Sequence, residues 1–136
     1  MALKLSHTFI EVHDQDAALD FYRDVLGFEV RTDAPFESFR WLTVGSPEQP
    51  DVEIVLSPAG MGRSAEDAQT LRQLLAKGSL GSVILRTDDI DALFERVRAS
   101  GAEVLQEPID QPYGVRDCAF RDPSGNHIRF GQEPKS

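Results

Sequence analysis

An α+β fold of two strand–helix–three-strand (βαβββ) units is predicted by three features of this sequence. Short segments alternate apolar and polar residues with period two. Two longer segments repeat apolar residues at helical spacing, each between an aspartate and a glycine. The whole order then recurs about 74 residues later.

Taken in order, residues 5–12 alternate as a strand, with Thr8, Ile10 and Val12 on one face and His7, Phe9 and Glu11 on the other. Asp14 or Asp16 caps a helix whose apolar side carries Ala18, Leu19, Tyr22, Val25 and Leu26, and Gly27 stops it. A strand from Phe28 to about Asp33 follows, broken at Pro35. Phe39 to Gly45 forms the next, setting Leu42 and Val44 against Phe39, Trp41 and Thr43. After a turn-rich loop at 46–50, Asp51 to Ser57 opposes Ile54 and Leu56 to Glu53, Val55 and Ser57.

Residues 58–64 read as a linker and Ala65 to Lys77 as a linker helix. Leu80 to Thr87 then repeats the first strand, with Gly81, Val83 and Leu85 opposed to Ser82, Ile84 and Arg86. Asp88 or Asp89 caps a helix through Ile90, Leu93, Phe94 and Val97, and Gly101 stops it. Glu103–Leu105 is a short strand, Pro108 and Pro112 bracket a loop, and Val115 opens a strand with Cys118 and Phe120 on its apolar face. The turn at 122–126 leads to a last strand, with Ile128 and Phe130 opposed to His127 and Arg129. A step of 74 relates Ile10 to Ile84, Asp14 to Asp88, Gly27 to Gly101 and Ile54 to Ile128. The expected organisation is one domain over 1–136, with units at 5–57 and 80–132 and a linker helix at about 65–77.

A helix covers one sheet face of each unit, and the other face is left open. Phe9, Phe39 and Trp41 share that open face. They read either as the floor of a ligand pocket, since planar ligands stack on such rings, or as a dimer or module interface. Glu11 and Glu53, on the same face, read as a site for a cationic group, as a general base, or as partners of Arg121 or Arg129. His7, His127 and Arg129 face the same way, and Tyr113 stands in a loop as a lid residue or filler. Cys118 falls in the core, and the single cysteine excludes a disulfide within one chain. The formal charge of −9 argues against nucleic acid and anionic membranes as partners. No stretch has the length and hydropathy of a membrane span or a signal peptide, so a soluble cytoplasmic protein is expected.

Phe21-Tyr22 followed by Leu26-Gly27-Phe28, with Asp122-Pro123-Ser124-Gly125-Asn126 near the end, resembles the vicinal oxygen chelate superfamily. That group holds glyoxalase I, bleomycin-resistance proteins and extradiol dioxygenases. The resemblance spans about residues 5–132 and implies paired modules forming a cup-shaped mixed sheet, commonly in a homodimer. In enzymes similar to glyoxalase I, metal ligands stand on the first and last strand of each module. On the motifs and the 74-residue step, those positions here are His7, Val55, Gly81 and Arg129. Only His7 is a good ligand, and a catalytic divalent ion takes about three. The expectation is a metal-independent protein that sequesters an aromatic or cationic small molecule, without cofactor and as a homodimer. The alternative is an enzyme: a metal-dependent lyase, isomerase or extradiol-type dioxygenase using His7, or a metal-free isomerase with Glu11 or Glu53 as base. A displaced divalent-metal site from His7, Glu53 and His127 completes the alternatives.

Overall fold

The computed structural model describes residues 1–134. The first unit runs β1 (His7–Val12), α1 (Gln15–Leu19, continued by π-helical turns over Asp20–Val25), β2 (Glu29–Phe36), β3 (Phe39–Gly45) and β4 (Glu53–Pro58). After α2 (Ala65–Ala76), the second runs β5 (Ser82–Arg86), α3 (Ile90–Ala99), β6 (Val104–Asp110), β7 (Arg116–Arg121) and β8 (His127–Gln132). Each unit forms a mixed four-stranded sheet, ordered β1-β4-β3-β2 and β5-β8-β7-β6, with the first and last strands of the unit paired in parallel. This is the α+β architecture that the alternating faces predict.

One apolar cluster joins the helix-facing sides of both sheets. Ile10, Val12, Leu42, Val44, Ile54 and Leu56 meet Phe21 and Tyr22, and the same cluster takes in Phe94, Val97, Cys118, Phe120, Ile128 and Phe130. The units are also pinned by polar contacts. The Tyr22 hydroxyl donates to Asp122 at 2.8 Å, the His13 amide donates to Ser124 Oγ at 2.9 Å, and Asn126 Nδ2 donates to the Glu11 carbonyl at 2.7 Å.

Two prolines end no strand. Pro35 pairs in register with Arg40, so β2 continues to Phe36, and Pro108 lies inside β6 rather than bracketing a loop. Both β2 and β6 are edge strands, where a missing N–H costs no ladder bond if it faces outward. The bulges of β6 further relax its pairing.

The repeat also departs from a uniform 74-residue step. His7 pairs with Glu53 and Ser82 with His127, so the first strands are related by 75 residues while the last are related by 74. The helix caps agree: Asp14 accepts from the Ala17 amide and Asp89, not Asp88, from the Ala92 amide. By Gly27 and Gly101, both at positive φ, the step is back to 74. The extra residue in the first helix is absorbed by the π-helical turns, in which the Leu26 amide reaches back five residues to the Phe21 carbonyl. The identity of Ile10 with Ile84 is therefore coincidental. Ile84 matches Phe9 instead, and both are exposed on open faces, at 73% and 54%.

Candidate functional site

On the first open face, β1 and β3 bring Phe9 and Trp41 together, their rings edge to face with centroids 6.1 Å apart. Phe36, at the β2–β3 hairpin, has its ring centroid 6.3 Å from that of Trp41. Period-two alternation places Phe9 and Trp41 opposite the core, as the sequence parity expects; Phe36 lies on the stretch of β2 beyond the expected strand end. Phe39 is on the same strand face, but its ring is met by the backbone of Gly60. Residues 58–64 leave β4 and cross back over this face as a strap. Arg63 holds the strap down by donating to both Glu11 carboxylate oxygens, at 3.0 and 3.4 Å.

The carboxylates are committed inside the protein, though not to the arginines expected. Glu11 pairs with Arg63. Glu53 lies 3.5 Å from His7 Nε2 and accepts from Thr43 Oγ1 at 2.7 Å. Arg121 pairs with Glu103, and Arg129 with Asp117.

The second open face is polar at its centre. Asp117, 2% exposed, accepts from Gln106 Nε2 at 2.7 Å, Gln111 Nε2 at 2.9 Å and the Tyr113 hydroxyl at 3.3 Å, and Arg129 Nη1 lies 3.1 Å away. Burial alone would raise the Asp117 carboxyl pKa, but the bonds from Gln111 and Gln106 and the Arg129 charge outweigh it and hold it below the usual value. Tyr113 projects from the β6–β7 loop, 70% exposed. Burial, then the charges of Arg129 and Arg121, depress His127, whose buried Nε2 has no hydrogen-bond partner among the described residues. Cys118 is fully buried, and burial, followed by the Asp117 charge, pushes its thiol up to about 11, which suits a core residue.

The corrected register changes the four strand positions of the chelate pattern. The counterpart of His7 is Ser82, not Gly81, which precedes β5. The set becomes His7, Val55, Ser82 and Arg129, with one good donor, a neutral hydroxyl, a side chain without donors and a fixed cation. These residues do not fit a catalytic ion. His7 and Glu53 touch, but His127 is in the other sheet, beside Ser82 and Arg121. Among the described residues of one chain, no three His, Cys, Asp or Glu side chains converge as a metal site.

A cavity of about 610 Å³ lies away from both open faces, between α1 and the 122–125 turn. Its wall includes the exposed His13, the mutually paired Arg121 and Glu103, and Asp20, which pairs with Arg23. Sequence reasoning missed Asp117, Arg63 and Gln106. Asp117 was within reach, since it shares parity with Ala119 opposite Cys118. Gln106 was not, because the bulges of β6 break the alternation there.

A family model for the glyoxalase/bleomycin resistance protein/dioxygenase superfamily matches residues 4–130. The crystal structure of UcmS2 superimposes with a TM-score of 0.88 at 41% identity, covering 96% of this chain and 98% of that one. TnmS3, an antibiotic binding protein from Streptomyces sp. CB03234, superimposes with a TM-score of 0.77 at 33% identity, covering 98% of each. A probable lactoylglutathione lyase of Synechocystis sp. is 30% identical, over 94% of each chain.

Proposed function

This chain belongs to the glyoxalase/bleomycin resistance protein/dioxygenase superfamily, and within it we propose a protein that binds and sequesters an aromatic small molecule, without a metal and without altering it. One observation carries the reading. The open face of the first unit presents a cluster of rings, exposed Phe9 and Phe36 around half-buried Trp41, where the strand positions of the chelate pattern supply a single good donor. Stacking on such rings provides affinity without a metal. Of the two ligand classes left open by the sequence, the aromatic one is favoured, because Glu11 and Glu53 already have partners and a cation would have to displace Arg63 or His7. TnmS3, an antibiotic binding protein 33% identical to this chain, supports the same reading.

The proposed assembly is a homodimer. Phe9 and Ile84 stay exposed on the two open faces, outside the shared core, and the edge strands are unpaired. A second copy would cover both.

The enzyme reading rests on His7, its contact with Glu53, and relatives named lactoylglutathione lyase at about 30% identity. One experiment separates the two. Acridone, a planar uncharged probe, is titrated into chelator-treated protein while the fluorescence of Trp41, the only tryptophan, is followed. Saturable quenching that Phe9→Ala weakens about tenfold supports sequestration. Quenching that needs added divalent metal, or turnover of methylglyoxal hemithioacetal lost on His7→Ala, supports the enzyme.

A further inference from the structure

We propose that the open face of the second unit holds a subsite for an aryl carboxylate, read by Arg129. This rests on the sequestration reading and names the polar group of the ligand.

Arg129 Nη1 is used internally: it donates to Gln106 Oε1 at 3.1 Å and lies 3.1 Å from the buried Asp117 carboxylate. Asp117 is itself held by Gln106, Gln111 and Tyr113, so the guanidinium is fixed in orientation before any ligand arrives. Its remaining edge, Nε and Nη2, has no partner among the described residues and is not buried. That edge offers two parallel N–H donors, the geometry that accepts a carboxylate in bidentate fashion.

Beside it lies a cavity of about 200 Å³, lined by Ile84, Leu85, Tyr113 and Val115 together with Asp117, Arg129 and Glu133, whose carboxylate is paired with Arg86 at 2.8 Å. An apolar cavity of roughly 150 Å³ is enough for benzene. The space therefore fits one ring. Ile84 replaces Phe9 in the second unit, and Asp117 replaces Trp41 at a step of 76 residues, so the second face is polar where the first is aromatic.

The test is calorimetric or NMR titration of benzoate and its uncharged isostere benzamide. Benzoate should bind with a millimolar constant, at least about tenfold tighter than benzamide. Arg129→Gln should erase that preference. Arg129→Lys keeps the charge and the fold but loses the paired donors, and should erase most of it. Equal binding of the two probes, a preference that survives Arg129→Gln, or no benzoate binding at tens of millimolar (about tenfold above the expected constant) would overturn the subsite. Acridone quenching of Trp41 in the same samples distinguishes that failure from failure of the sequestration reading: intact quenching confines it to the Arg129 subsite.

Discussion

Among the described residues, the Asp122 side chain takes part in the most hydrogen bonds. Its Oδ1 accepts from the amides of Ser124, Gly125 and Asn126, and its Oδ2 from Asn126 Nδ2 and the Tyr22 hydroxyl. The sequence showed 122–126 as a turn. It could not show that the turn also bolts one unit to the other, because Tyr22 lies 100 residues away in the chain. Tyr22→Phe removes one donor from a buried carboxylate and should cost about 1–3 kcal/mol in denaturant unfolding. Burial, then the Asp122 charge and hydrogen bond, push the Tyr22 pKa well above 10.0. A raised folded value means a contribution fully present below the unfolded pKa and lost as pH rises through the folded one. Stability should therefore fall above about pH 10, less steeply in Tyr22→Phe. Asp117 works in the opposite sense. Its lowered value contributes above the unfolded carboxylate pKa, and that contribution is lost as pH falls through the folded one, so Asp117→Asn should flatten the acid limb of the same stability profile.

At the scale of the element, the strands and helices were legible because both faces of each sheet write their period into the sequence. The errors came where the backbone adds or hides a residue. The π-helical turns after α1 insert one residue without changing the pattern around them. That insertion moved the second-unit counterpart of His7 from Gly81 to Ser82. The prolines of β2 and β6 looked like stops because edge position is a property of the sheet, not of the strand. The 58–64 strap is the element most open to change. Arg63→Ala should cost no more than about 1 kcal/mol, since the ion pair with Glu11 is partly exposed, yet it frees the strap from the face. Amide exchange across 60–63 should quicken, with little change at β1 or β4. Unchanged exchange would mean that the contact with Phe39 alone holds the strap.

For the whole molecule, the sequence supplied the architecture and the aromatic face, but not the pairing of its charges. Whether Glu11 and Glu53 are free depends on a strap and a neighbouring strand, and both proved to be occupied. Two open faces, one aromatic and one polar, look outward from a shared core, and a second copy is proposed to close them. Sedimentation at tens of micromolar, on the order of weak-dimer affinities, should give a dimer, and a monomer would leave each face a half-site. The central claim is that binding here needs no metal. Its most direct test is the acridone titration of Trp41 in protein stripped by chelator, repeated after adding one equivalent each of nickel, zinc, manganese and iron. The account predicts the same saturable quenching in every sample. Quenching that appears only with a metal, and disappears in His7→Ala, would contradict it.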